Sequence, residues 1–162
     1  MMKKGRVIAL GTILACSIGL GTLSVEAGNE NNKYSFTILK DQKNSFTGTE
    51  YRQTTTERNT WKVRMYFSNE GTNTVTTYWL EKSNGTNVSP AVDVNAGNTN
   101  TNSGRNHYIK GNAGANGANV RLTAENNTAS SSSFTVKGYW DEETGRMLPS
   151  QYKNYYTTEY NK

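Results

Sequence analysis

Thr60-Trp61-Lys62-Val63-Arg64-Met65-Tyr66-Phe67 is the stretch whose reading decides the fold. Successive side chains of a β-strand point to opposite faces. Trp61, Val63, Met65 and Phe67 therefore share one side, and Lys62, Arg64 and Tyr66 the other. Large apolar groups opposed to charges are the pattern of a half-buried antiparallel strand, which puts Trp61 in a core. Ser68-Asn69-Glu70-Gly71-Thr72-Asn73 supplies a turn, and the chain returns with Val75, Thr77 and Trp79 on one face. Tyr78 and Leu80 make the other face of the return strand apolar too. The two strands read as a hairpin that brings Trp61 and Trp79 onto a shared core.

Short strands continue on both sides of this pair. Upstream, Tyr34, Phe36 and Ile38 alternate with Ser35, Thr37 and Leu39, a period-two pattern. A polar turn at 41–45 leads to a Thr-rich stretch, residues 47–56, with Tyr51 and Arg52. That stretch is β-prone but weakly apolar, so it belongs at a sheet edge. Downstream, Asn84-Gly85 is a hairpin dipeptide, since both residues tolerate positive φ. Val88, Pro90, Val92 and Val94 then alternate with polar neighbours, and Pro90 confines that strand to an edge or a bulge. Residues 95–119 are rich in Gly and Asn, broken by a short strand candidate at 105–110 and closed by an Asn116-Gly117 turn. Val120, Leu122 and Ala124 point inward, and Phe134, Val136 and Trp140 repeat the pattern with Gly138 at a bulge position. Nothing after residue 27 keeps a helical period for three turns. Seven or eight short strands separated by turns indicate an all-β protein, an antiparallel β-sandwich or small barrel, and the sandwich is the expected form.

Ahead of this domain the chain opens differently. Lys3, Lys4 and Arg6 form a basic head, residues 7–23 are apolar and almost uncharged, and Val25-Glu26-Ala27 carries small residues where a signal peptidase reads. That is the layout of a secretory signal peptide. The apolar run is interrupted by Gly11, Gly19 and Gly21 and is short for a bilayer span, which takes ~20 apolar residues. Residues 1–27 are thus expected to be removed, leaving no stable membrane span in the mature chain and a secreted protein. Two readings compete with the signal peptide: an uncleaved anchor helix, the weaker of the two, and a lipid anchor on Cys16 within Ile13-Leu14-Ala15-Cys16. Against the lipid anchor, Leu14 is bulky, and the chain stays apolar to Leu23 where a lipoprotein turns polar. The organisation expected is a signal peptide at 1–27, a β-sandwich at 28–146, and a Tyr-rich tail or last strand at 147–162.

The 162-residue chain has one cysteine, Cys16, so the mature protein has no thiol chemistry and no disulfide. Removing the leader lowers the formal net charge from +5 to +3. That is too mild for nucleic acid, which calls for clustered Lys and Arg. It suits ordinary solubility, or loose attraction to an anionic wall or membrane surface.

Little in the chain points to catalysis. His107 is the single histidine, and a zinc or copper site takes three or four ligands. No Gly-x-Ser-x-Gly turn accompanies it. Asp141, Glu142 and Glu143 are adjacent and do not face one another across a sugar, as glycosidase carboxyls must. Asp93-x-Asn95-x-Gly97 has the start of a calcium loop, but Gly104 stands where the closing Glu belongs. No enzyme, catalytic residue, metal or other cofactor is expected. Tyr152, Tyr155, Tyr156 and Tyr160 lack strand alternation and are the candidate binding residues, since amphipathic rings grip sugars, peptides and headgroups.

Two longer motifs carry a family resemblance. Val120-Arg121-Leu122-Thr123-Ala124-Glu125-Asn126-Asn127 and Val136-Lys137-Gly138-Tyr139-Trp140-Asp141-Glu142-Glu143-Thr144-Gly145 resemble the end of a family of small secreted Gram-positive proteins, known only as a domain of unknown function. Tyr51-Arg52-Gln53-Thr54 and Trp61-Lys62-Val63 resemble its earlier part, so the likeness runs from about Lys33 to Gly145 and leaves out the tail. Members are often grouped with bacteriocin export and immunity genes. The resemblance therefore implies a role akin to that of the β-sandwich lactococcin bacteriocins, which act on cell-wall precursors. It defines no catalytic residue to carry over. Two functions stand: a bacteriocin-like binder of a wall or membrane-surface component of bacteria, and an extracellular structural or adhesive matrix module.

Overall fold

The computed structural model describes residues 31–97, 104–149 and 156–159. Among them are nine strands: β1 Asn32–Ile38, β2 Ser45–Arg52, β3 Trp61–Ser68, β4 Val75–Glu81, β5 Val92–Asn95, β6 Asn106–Ile109, β7 Ala118–Asn126, β8 Phe134–Asp141 and β9 Tyr156–Glu159. They form a five-stranded sheet, β1-β8-β3-β6-β9, and a four-stranded sheet, β2-β7-β4-β5. Every pairing is antiparallel. The expected all-β class is what the chain adopts. The expected leader at 1–27 lies outside the described residues.

Core side chains come from the facing sides of both sheets. Ile38, Trp61, Val63, Met65, Ile109 and Val136 from the first are fully enclosed, as are Tyr78, Leu80, Val94, Val120, Leu122 and Ala124 from the second. Two strongly apolar, inward-alternating faces closing on each other are the driving force of a sandwich. One polar link crosses the core. The Tyr34 hydroxyl proton is shared between the Arg64 carbonyl, 3.2 Å away, and the Tyr78 hydroxyl, 3.0 Å away. Burial pushes both phenols well above their ordinary pKa, so both stay neutral.

β3 and β4 are not the hairpin that the sequence suggests. Each is an interior strand of a different sheet: β3 lies between β8 and β6, β4 between β7 and β5. The turn between them is tied to β8 instead, by Asn69 N–H on the Thr135 carbonyl at 3.1 Å and Thr135 N–H on Asn69 Oδ1 at 2.8 Å. Gly71 and Asn73, at φ +106° and +73°, turn the chain across the layers.

Two facing assignments change with it. In β4 the inward set is Thr76, Tyr78 and Leu80, because Leu80 pairs Leu122 and Tyr78 pairs Ala124 on the inner side of β7. Trp79 therefore lies on the outer face, 6% exposed, its indole N–H donating to Glu81 Oε2 at 3.3 Å. In β3 the register shifts between Met65 and Phe67. A bulge adds one residue to one strand, so Phe67 falls opposite the exposed Lys137 and Ser68 takes the inward place opposite Val136.

Several local readings hold. β2 and β5 are edge strands of the smaller sheet. Gly85, at φ +82°, makes the Asn84-Gly85 turn. Pro90 stands in a break before β5, where the Ser89 hydroxyl takes the Leu80 N–H at 2.8 Å in place of a ladder carbonyl.

Candidate functional site

The outer face of the five-stranded sheet combines cations with aromatic rings. Strand alternation and register set Lys33 on β1, Lys137 and Tyr139 on β8, and Lys62 and Arg64 on β3 on this side. The β3 bulge adds Phe67 beside Tyr66. Arg64 Cζ lies 5.7 Å from the Tyr139 ring centre, Lys137 Nζ lies 5.2 Å from that of Phe67, and the Tyr66 and Tyr139 rings are 5.3 Å apart. Next to β6, Arg146 sits 4.5 Å over the Tyr108 ring. A cation over a ring face gains ~0.5–2 kcal/mol and holds the ring in place. Lys33 and Lys137 are exposed, and Tyr66, Phe67 and Tyr139 half-buried. Asp141 lies on the same side by register but is buried, and Glu159 of β9 takes a register position on this side too. The arrangement offers flat apolar rings flanked by positive charge, the chemistry that receives an anionic, partly apolar polymer.

The tail enters this same sheet. β9 pairs with β6, Tyr156 opposite Ile109 and Glu159 opposite Asn106. Tyr156 is thus the first residue of a strand, and the other candidate tyrosines, Tyr152, Tyr155 and Tyr160, lie outside the described residues. Before β9, Met147 bridges to Asn59, and Leu148, 4% exposed, exchanges hydrogen bonds with Arg58.

One end of the sandwich is closed by buried charge that no sequence pattern announced. Arg52, fully enclosed at the end of β2, donates to the carbonyls of Asn59 and Glu142. Burial pushes its guanidinium down to about 10, opposed by Glu143, Glu142 and Asp141, so it stays charged at neutral pH. Glu143 Oε2 accepts from Thr54 N–H at 2.6 Å, and Asp141 Oδ1 from Glu143 N–H at 3.0 Å. Lys62 Nζ is 3.9 Å from Asp141 Oδ2, each residue 1% exposed. Burial lowers the Lys62 pKa while Asp141 opposes the shift. The acidic run Asp141-Glu142-Glu143 is therefore an anchor joining β2, β3 and β8. Carboxylates turned inward onto backbone amides and buried cations act as structural ties.

His107 sits on β6 opposite Val63, its pKa pushed down to about 4 by burial and then by Arg105. Among the described residues no three His, Cys, Asp or Glu side chains come together to hold a metal ion. Also among them, no helix is long and apolar enough to cross a membrane.

Fold and surface together define a β-sandwich with a cationic, aromatic sheet face. Residues 23–144 match the family described as protein of unknown function (DUF2712), and the chain belongs to it. No curated protein and no solved structure matches the chain.

Proposed function

We propose that this is a secreted, non-enzymatic protein that binds the envelope of Gram-positive bacteria and acts there as a bacteriocin-like agent. The observation that carries the reading is the outer face of the five-stranded sheet, where the exposed Lys33 and Lys137 and the half-buried Arg146 stand with the half-buried rings of Phe67 and Tyr139, and the buried Arg64 and Tyr108 support them. Gram-positive walls present phosphate-bearing polymers, and a positive face attracts such a polyanion over roughly a Debye length, ~10 Å at 0.1 M salt. The signal-peptide layout of residues 1–27 supports export. The tail tyrosines Tyr152, Tyr155, Tyr156 and Tyr160 add amphipathic rings of the kind that grip sugars and headgroups, which suits them to the same contact.

The test is incubation of purified protein with intact Gram-positive cells and spotting on lawns of related bacteria. Cell-bound protein and a zone of clearing are expected, with a secreted form whose mass begins at Gly28. Absence of cell binding at low salt would remove the reading, and binding without clearing would remove its bacteriocin-like part.

A further inference from the structure

The opposite face of the sandwich carries a second and chemically different surface. Among the described residues the exposed large apolar side chains are Leu39, Phe46, Tyr51 and Met147. Two of the four, Phe46 and Tyr51, stand on one edge strand, β2, opposite Thr123 and Asn119 of β7. These positions share the outer face and lie four residues apart on β7, roughly 13 Å along the strand.

Phe46 is held in place from below. Arg121 Cζ is 3.6 Å from its ring centre, which sets guanidinium and ring in close contact and leaves Phe46 51% exposed. Arg121 Nε donates to Glu81 Oε1 at 2.9 Å, and Glu81, 2% exposed, accepts from the Trp79 indole on its other oxygen. Trp79, Glu81 and Arg121 thus form a fixed base under the ring. The base also cancels the Arg121 charge, so the patch between the rings offers no net attraction to a polyanion. Between Phe46 and Tyr51 the surface is low and open. Thr49 is exposed, and a Cβ at Gly48 would have no atom within 4 Å. Tyr51, 54% exposed, marks the far end.

We infer that Phe46 and Tyr51 form a platform for a neutral linear polysaccharide, the N-acetylhexosamine glycan strand of the bacterial wall. A sugar ring has an apolar face that stacks on an aromatic ring and a rim of hydroxyls that suits Thr49 and Asn119. Two separated rings with a polar gap match a polymer that repeats this alternation. A folded protein partner would cover a contiguous apolar patch instead. Electrical neutrality separates this ligand from the phosphate polymers assigned to the other face. The choice of a wall glycan rests on the envelope reading above; the platform itself does not.

The experiment is co-sedimentation of the purified protein at ~1 M salt, where surface charge is screened to about 3 Å. The solids are chitin and Gram-positive sacculi stripped of phosphate polymers. Binding to both is expected. Phe46→Ala and Tyr51→Ala should each weaken it about tenfold, the effect of one lost ring contact, with the fold retained and the melting temperature lowered at most by the few degrees that losing the Arg121 contact under Phe46 costs. Lys33→Glu/Lys137→Glu, which attacks the cationic face alone, should leave this salt-resistant binding intact. Wild-type affinity in both aromatic variants would overturn the platform. So would failure to bind either solid, or loss of binding in the charge-reversed variant only, whereas binding to chitin without binding to the sacculi would overturn the wall-glycan assignment and leave the platform standing.

Discussion

Gly138 shows how much a single residue decides. A Cβ there would stand 2.0 Å from the Arg64 carbonyl oxygen and 2.3 Å from the Tyr34 ring. Gly138→Ala must push β3 or displace the tyrosine that bridges the sheets, and overpacking of this kind costs ~1–3 kcal/mol. Thermal denaturation should show a melting temperature several degrees lower, with Tyr34→Phe/Gly138→Ala no better because the ring remains. His107 carries a pH signature. Its folded pKa of about 4 lies below the ordinary 6.5, so the unfolded chain takes up the proton first and stability falls as pH drops between those values. His107→Gln should flatten that part of the melting curve against pH, whereas parallel curves would show that the imidazole is not enclosed. Trp61 and Val63 could be placed in the core from alternation alone. The burial of Lys62 could not, because alternation fixes the side of the sheet and not what covers it.

At the scale of elements, strands were legible wherever period-two patterning and turn dipeptides coincided. The edge positions of β2 and β5, the Asn84-Gly85 turn and the inward set of β7 follow from local chemistry. Pairing did not. β3 and β4 are adjacent in sequence and both apolar, the ordinary sign of a hairpin, yet both are interior strands whose partners come from the second half of the chain. Phe67 and Trp79 were misplaced for related reasons, one through a bulge and the other through a strand apolar on both faces. Neither signal exists in a window of eight residues. The C-terminal segment gives the matching prediction. A stop after Gly145 removes Leu148, its two bonds to Arg58 and β9, whereas a stop after Pro149 removes β9 but keeps the Leu148 contacts. The first truncation should lower the melting temperature more than the second. Equal losses would mean that the Leu148 contacts add nothing to stability.

For the whole molecule, the sandwich separates two kinds of surface. The five-stranded sheet exposes Lys33 and Lys137 on its outer side, with Lys62, Arg64 and Asp141 buried there, and the four-stranded sheet turns Asp93 and the half-buried Glu125 outward, with buried Glu81 paired to Arg121. A net charge spread evenly would give solubility and little else. A charge sorted by face can orient a protein on an anionic surface, which is the role proposed for the exposed Lys33 and Lys137. Composition reveals only the sum, which is why the sequence showed a mildly basic chain and not a basic face. Lys33 and Lys137 are exposed, so reversing them tests the charge without disturbing the fold. The measurement is the affinity of wild type and Lys33→Glu/Lys137→Glu for soluble glycerol-phosphate wall polymer across a salt series. If the exposed lysines hold the polymer, wild-type affinity falls steadily with salt, and the variant is about tenfold weaker or more at ~0.1 M with a shallower slope. Equal affinity and equal slope for the two proteins would contradict that role.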